Sequence, residues 1–99
     1  MAEEIVSLAI LEAVPGREDE LLKTLRDLYT VMRAKSYCRD VLYRDSARPG
    51  RCLHLRYWTS LEMRQEAQAD PEVHRFWLML PELCTVMTVY ESLEKVFET

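Results

Sequence analysis

Two histidines, His54 and His74, are the only imidazole groups in the 99-residue chain. Because the ordinary pKa of histidine lies near neutrality, a general base working near pH 7 would be one of these two. Arg56 follows His54 by two residues, and alternate residues of a strand point to the same face. We therefore predict a catalytic set of His74, Arg56 and His54, in which the arginine stabilises the anion left when a histidine removes a proton. A structural role stays open for each: His54 as a hydrogen-bonded strand residue, His74 as a helix-surface residue, and Arg56 as an ion-pair partner.

Two tryptophans and two tyrosines are predicted to bind a substrate. Indole rings offer a large area for stacking, so Trp58 and Trp77 are candidate walls of a pocket for a flat aromatic ligand. Tyr43 and Tyr90 are candidate phenol donors to such a ligand. The alternative is that all four fill the core, since Trp77 belongs to an apolar stripe at helical spacing and Trp58 ends a strand pattern.

Charge and hydropathy exclude several classes of partner. The formal net charge is -4, whereas a nucleic-acid-binding protein needs a concentrated basic face. No stretch approaches the roughly 18 apolar residues that a membrane helix requires. The acidic start at residues 1–4 lacks the basic character of a signal peptide. We expect no nucleic-acid partner, no membrane association and a cytoplasmic location.

The three cysteines, Cys38, Cys52 and Cys84, are far apart and form no Cys-x-x-Cys motif. This spacing indicates neither a disulfide framework nor a zinc site, and free thiols are typical of a reducing compartment. The sequence also has no phosphate-binding loop, dinucleotide glycine motif or metal-ligand cluster. We predict no metal and no cofactor, so an enzyme of this sequence would take its electrons from the substrate.

The first half of the chain predicts the elements that would position these residues. Residues 5–13 are apolar on both faces of a predicted strand. A helix follows from Glu18, with acidic residues in its first turn and a leucine-rich stripe. Residues 37–45 and 51–58 form two further strands, joined by a hairpin loop at residues 46–50.

The second half predicts two helices and a last strand. Thr59 is predicted as the N-cap of a short helix that runs to about residue 69, with Glu62 reaching back as in a capping box. Asp70 caps the next helix, with Pro71 at its first position, and Pro81 is expected to end it. The β-branched residues that follow predict a long strand over residues 83–97.

The resulting order, β-α-β-β-α-α-β, predicts a single domain over residues 1–99 with a ferredoxin-like α+β sandwich fold. Helices cover only one face of such a sheet, yet the first and third strands carry apolar side chains on the other face as well. We therefore expect a homodimer that covers the second face. The side chains on that face are Val6, Leu8, Ile10, Leu53, Leu55 and Tyr57.

Landmarks between residues 14 and 71 add a family resemblance that spans nearly the whole chain. They are the strand end at residues 14–18, Tyr37-Cys38, the strand end at residues 58–60, the acidic helix at residues 61–69, and Asp70-Pro71. In order and spacing they resemble the antibiotic biosynthesis monooxygenase domain, one group of the dimeric α/β-barrel superfamily. The resemblance implies a dimer with a ligand pocket between each sheet and its own helices. Family members include cofactor-independent oxygenases of aromatic polyketides, enzymes acting on small signalling molecules, and haem-degrading monooxygenases.

The chain departs from the family at residues that carry chemistry there. Many members have a histidine where this chain has Ala67, and a Pro-His pair where it has Pro71-Glu72. The haem-degrading branch uses asparagine, tryptophan and histidine at the positions of Ala9, Ala67 and Trp77, so haem degradation is disfavoured unless His74 has taken over as axial ligand. The resemblance implies a small, cofactor-independent, monooxygenase-like oxidoreductase acting on a compact aromatic or enolisable molecule. The alternative is a non-catalytic ligand-binding or dimerisation module of the same fold.

Overall fold

A computed structural model describes residues 5–99 and shows one four-stranded sheet with three helices on one face. The elements are β1 (Ile5–Ala13), α1 (Glu18–Ala34), β2 (Cys38–Arg44), β3 (Arg51–Trp58), α2 (Leu61–Gln68), α3 (Pro71–Leu83) and β4 (Cys84–Leu93). The strands lie in the order β2-β3-β1-β4 and each neighbouring pair is antiparallel. This arrangement confirms the ferredoxin-like α+β fold predicted from the order of elements.

The register of the central strands decides which side chains face the helices. β1 pairs with β3 so that Ile5 lies opposite Trp58 and Ala9 opposite His54. Since side chains alternate along a strand, the even-numbered residues of β3 point to the helices. Cys52, Arg56 and Trp58 are accordingly buried. The face predicted to carry His54, Arg56 and Trp58 is therefore the interior face.

Helix α1 covers that face because its leucines recur at helical spacing. Leu21, Leu25, Leu28 and Met32 are almost completely buried, and acidic residues in the first turn favour the positive end of the helix dipole. Burying a leucine contributes about 1.5–3 kcal/mol relative to leaving it exposed. Helix α1 is thus held firmly over β1, β2 and β3.

The caps of α2 and α3 test two sequence predictions. The prediction that Thr59 caps α2 is wrong, because the Ser60 hydroxyl accepts the hydrogen bond from the backbone N–H of Met63 at 3.1 Å. The Thr59 hydroxyl instead donates to the carbonyl of Ser36 at 2.7 Å. The prediction for α3 is confirmed: the Asp70 carboxylate accepts from the Glu72 N–H, and Pro71 occupies the first helical position.

Two predicted ends are also wrong. Helix α3 continues through Pro81 to Leu83. Proline lacks the N–H that would bond to the preceding turn, but one missing bond near the end of a helix leaves the rest of the last turn intact, and Cys84 still donates to Leu80. Strand β4 ends at Leu93 rather than at residue 97, because its pairing with β1 reaches only to Val6.

The face of the sheet away from the helices carries apolar side chains from all four strands. Tyr90 of β4 lies opposite Leu8 of β1, and Leu53 of β3 lies opposite Tyr43 of β2. Tyr43 and Tyr90 are 57% and 49% exposed. We call this side of the sheet the outer face. None of the helices within residues 5–99 has the length and apolar content that crossing a membrane would require.

Candidate functional site

A cluster of polar side chains lies between α1 and the strands β2 and β3. The carboxylate of Asp40 accepts hydrogen bonds from Nε2 of His54 at 2.7 Å and from Nε of Arg56 at 2.6 Å, both at its Oδ1 atom. The side chain of Asp40 is 1% exposed, and those of Arg56 and His54 are 9% and 12% exposed. A buried carboxylate thus holds one guanidinium and one imidazole in fixed positions.

The pairing of β2 with β3 builds this cluster. Asp40 lies directly opposite Arg56, and Leu42 lies opposite His54. Because alternate residues share a face, Asp40 reaches both its direct neighbour Arg56 and its diagonal neighbour His54. We call the group formed by Asp40, His54 and Arg56 the acid–base cluster.

The electrostatics of the acid–base cluster fix its protonation near neutral pH. Burial favours the neutral acid, but the hydrogen bond from His54 and the charge of Arg56 outweigh it and lower the pKa of Asp40. Burial lowers the pKa of His54, and the nearby Arg56 charge acts in the same direction against the raising effect of Asp40. Asp40 is therefore ionised and His54 neutral near pH 7. Since Nε2 must carry the proton to donate to Asp40, Nδ1 of His54 is the basic nitrogen.

Tyr29 of α1 covers the acid–base cluster on the side of the helix. Its ring stacks on the His54 ring with the centroids 4.7 Å apart. Burial raises the pKa of Tyr29, so its hydroxyl stays protonated. That hydroxyl and Nη2 of Arg56 are both buried, and neither has a hydrogen-bond partner within residues 5–99. Two buried donors are thus left free to bind an oxygen atom that the protein itself does not supply.

Trp58 extends the cluster along β3. The Arg56 guanidinium lies over its ring, 5.2 Å from the centroid. The indole N–H donates to the Ser7 hydroxyl at 3.0 Å, and that hydroxyl donates to the carbonyl of Glu91 at 2.7 Å. These contacts tie Trp58 to β1 and β4, so its orientation is fixed.

A cleft of about 390 Å³ opens between α1 and the edge strand β2. Its volume lies in the range of small-molecule sites. Tyr29 and Asp40 line it, so it borders the acid–base cluster directly. Leu22 and Leu42 give it an apolar side, and Arg26 and Arg33 of α1 also line it. The arrangement suits a compact molecule with both an apolar and a polar part.

The predicted site residues fall into three places. His54, Arg56 and Trp58 lie together beneath α1, and Trp77 packs against the same apolar cluster as Trp58. His74 is exposed on α3, where its ring lies 5.1 Å from the Trp77 ring and its Nε2 contacts the carbonyl of Gln68.

Tyr43 and Tyr90 lie on the outer face, across the sheet from the acid–base cluster. Within one chain, the structure therefore separates these two phenols from Arg56. A ligand that contacts these two tyrosines would have to lie against the outer face.

Sequence reasoning missed two residues of the site, Asp40 and Tyr29. An aspartate in a predicted strand is typical of a solvated position, and only the strand register shows that it faces two basic side chains. Tyr29 lies at the spacing of the apolar stripe of α1, which is typical of a core residue. The signal available in the sequence was that Asp40 and Arg56 both lie on the helix-facing side of a predicted hairpin.

The cysteines and acidic residues offer no metal centre. Cys38, Cys52 and Cys84 are free and buried, and burial raises the pKa of Cys38 to about 12. Its thiol donates to Oδ2 of Asp40 at 3.4 Å. In the part of the chain that the structure describes, no group of three or more His, Cys, Asp or Glu side chains could hold a metal ion.

Solved structures share the fold over nearly the whole chain. SnoaB, a cofactor-independent oxygenase from Streptomyces nogalater, superposes with a TM-score of 0.79 at 16% identity, covering 98% of this chain and 100% of that one. Two proteins provisionally named antibiotic biosynthesis monooxygenases are also similar. That from Chloroflexus aurantiacus has a TM-score of 0.77 at 18% identity, covering 97% of each chain. That from Deinococcus radiodurans has a TM-score of 0.75 at 22% identity, covering 96% of this chain and 98% of that one.

No family model matches the sequence, and no curated protein matches it significantly. The likeness is therefore one of three-dimensional structure. The chain has the ferredoxin-like fold of proteins named antibiotic biosynthesis monooxygenases, which confirms the resemblance drawn from its sequence landmarks at the level of the fold.

Proposed function

We propose that the protein is a small cofactor-independent oxidoreductase of the monooxygenase kind, acting on a compact aromatic or enolisable molecule. The observation that carries this proposal is the acid–base cluster, in which a buried carboxylate orients a neutral imidazole beside an arginine. Of its three members, Asp40 lines the cleft, together with Tyr29, which stacks on His54. The shared fold with SnoaB, which is described as a cofactor-independent oxygenase, supports it.

The first step of the proposed reaction is proton removal. Nδ1 of His54 takes a proton from a carbon next to a carbonyl or an aromatic ring, while Asp40 holds the imidazole through Nε2 and stabilises the imidazolium that forms. The free donors of Arg56 and Tyr29 bind the resulting enolate or phenolate oxygen. Positioned acid–base catalysis of this kind contributes about 10²–10⁴-fold to a rate.

The second step uses dioxygen. The carbanion adds to O₂ to give a peroxide, which loses water, so that a methylene group and O₂ give a carbonyl group and H₂O. The carbon is oxidised by four electrons and O₂ is reduced by four, with one oxygen atom in the product and one in water. No other electron donor is needed, in agreement with the expectation that no cofactor takes part.

Further parts of the proposal concern the aromatic residues and the second histidine. Trp58 and Trp77 are proposed to stack on a part of the substrate that extends beyond the cleft, since both belong to one apolar cluster and neither lines the cleft. His74 is the second candidate base, but its exposed position on α3 leaves it without a carboxylate to orient it within residues 5–99. Tyr43 and Tyr90 would contact a ligand only through the outer face.

We also propose that two copies pack through their outer faces. Six apolar side chains of β1 and β3 point there, and Tyr43 and Tyr90 extend the patch onto the edge strands. Monomeric proteins rarely expose contiguous apolar patches larger than a few hundred Å². A homodimer would cover this surface. The three free cysteines fit a cytoplasmic location.

A second candidate function is a ligand-binding module without chemistry. The observation that favours it is the ion pair of Asp40 with Arg56, which neutralises both charges and would hold β2 to β3 with no reaction at all. Binding without oxygen consumption would identify this function.

The experiment compares oxygen uptake with anthrone-type and hydroquinone-type substrates in the presence of wild-type protein, His54→Gln and His74→Gln. We expect substrate-dependent uptake that ceases under anaerobic conditions, a loss of about 100-fold or more in kcat for His54→Gln, and wild-type activity for His74→Gln. Uptake that His54→Gln leaves unchanged would overturn the assignment of the base. No uptake with any substrate would overturn the enzymatic function.

A further inference from the structure

The cleft beside the acid–base cluster is cationic, although the whole chain has a net charge of -4. We propose that the molecule bound there is an anion, an aromatic carboxylate of one or two rings, whose acidic group is held by Arg26 and Arg33. As a statement about the substrate, this inference rests on the proposed function. As a statement about binding, it depends only on the cleft.

The spacing of the two arginines places them along one side of the cleft. Seven residues separate Arg26 from Arg33, which is close to two turns of α1 and a rise of roughly 10 Å. Thr30 lies between them on the same side of the helix, and all three line the cleft. Both arginines are exposed, and the ion pairs in the described range 5–99 include neither of them. They are therefore available to a ligand.

The acidic groups nearby do not cancel this positive charge. Asp27, next to Arg26 in sequence, is paired with Lys23 at 3.0 Å. Asp40 lines the cleft, but its charge is balanced by Arg56 at 2.6 Å. Arg39 also lines the cleft and adds positive charge, although its guanidinium lies over the Tyr57 ring, 4.1 Å from the centroid.

The shape of the cleft orients the ligand. Its apolar side is formed by Leu22, Leu42 and the ring of Tyr29, and a volume of about 390 Å³ accommodates a two-ring body. With its carboxylate on the arginines of α1, such a molecule would lay its rings against Tyr29. The reacting carbon would then face the acid–base cluster, and the carboxylate would remain at the exposed mouth.

The test uses two probes of equal shape, 2-naphthoate and 2-naphthamide, which differ in charge. Their dissociation constants are measured by calorimetry for the wild-type chain, for Arg26→Gln/Arg33→Gln, and for Arg48→Gln. The last variant is the matched control, because Arg48 is an exposed arginine of the loop between β2 and β3. Amide chemical shifts in residues 22–42 report whether the probe occupies the cleft.

We expect 2-naphthoate to bind about tenfold more tightly than 2-naphthamide. The ratio of the two dissociation constants should fall towards one in Arg26→Gln/Arg33→Gln and stay at the wild-type value in Arg48→Gln. It should also decrease as salt is added. Equal binding of the two probes, a preference that survives in the double variant, or no binding of either up to about 10 mM would each overturn the inference.

The oxygen-uptake assay fails independently of this one. If 2-naphthoate binds in an arginine-dependent way but no substrate supports oxygen uptake, the anion site is supported and the proposed oxidoreductase function is overturned. If neutral substrates are turned over and 2-naphthoate binds no more tightly than 2-naphthamide, the oxidoreductase function is supported and the anion site is overturned.

Discussion

Replacing Asp40 by asparagine removes one negative charge from the interior and leaves the shape of the side chain unchanged. In the folded protein the carboxylate is 1% exposed and lies 2.6 Å from Nε of Arg56. Removing one partner of a buried ion pair costs about 3–5 kcal/mol, because the remaining charge is left uncompensated. Small domains are stable by only about 5–15 kcal/mol. We therefore expect Asp40→Asn to lower the free energy of unfolding by about 3–5 kcal/mol.

The assay is urea unfolding followed by circular dichroism at fixed protein concentration, supported by thermal unfolding. For a domain of this size, the expected loss corresponds to a fall in Tm of at least about 12 °C. The matched control is Asp27→Asn, whose side chain is 49% exposed and pairs with Lys23 on the surface of α1. That exposed pair should contribute no more than about 0.5 kcal/mol.

A double variant separates the charge effect from a loss of packing. In Asp40→Asn/Arg56→Met no charge remains buried between these two positions, so the double variant should be more stable than Asp40→Asn alone. The reasoning is refuted if Asp40→Asn costs no more than Asp27→Asn, or if removing Arg56 from the Asp40→Asn background makes the protein less stable still.

Three further predictions concern pH, the α2 cap and the outer face. Burial holds the pKa of His54 below its usual 6.5, so on acidification the unfolded chain takes up a proton before the folded chain does. The free energy of unfolding should therefore be at its full value above pH 6.5 and fall as the pH drops. Denaturant titrations from pH 5 to 8 should show this dependence in the wild type and a weaker one in His54→Gln. Ser60→Ala should cost about 1 kcal/mol in urea unfolding through loss of the α2 cap. Glu62→Ala, which removes the side chain that the capping box predicted with Thr59 requires, should cost clearly less. Leu55→Asp should unfold the chain, whereas the wild type should sediment at twice the chain mass of 11.7 kDa; a folded wild-type monomer at micromolar concentration would contradict the homodimer.

Much of the fold was predictable because it depends on local patterns. The alternation of residues in β3 correctly placed Arg56 and Trp58 on the helix-facing side, and the Asp70-Pro71 pair correctly started α3. Adjacent hydroxyls explain the error at α2, because Thr59 and Ser60 both precede the helix and sequence alone does not decide which one turns towards it. The predicted end of α3 at Pro81 was wrong because a proline removes only one backbone hydrogen bond. The packing of Leu83 holds the last turn in place.

The site was less predictable because it depends on register between strands. Nothing in the residues around Asp40 indicates that its carboxylate is buried; its position opposite Arg56 does. Tyr29 has the spacing of a core residue, and its stacking on His54 appears only when α1 is laid across β3. Charge pairs and aromatic stacks between separate elements are properties of the assembled fold.

The acid–base cluster and Trp58 differ in how far apart their partners lie along the chain, and this has a consequence for folding. Asp40 is separated from His54 by 14 residues and from Arg56 by 16, so all three belong to one hairpin. Hairpins form in about 1–10 μs. The bond from Trp58 to Ser7 spans 51 residues and requires β1 to close a much longer loop. We therefore expect the charged half of the site to assemble with the first local contacts, and the contact of Trp58 with Ser7 to form only when the first strand joins the sheet.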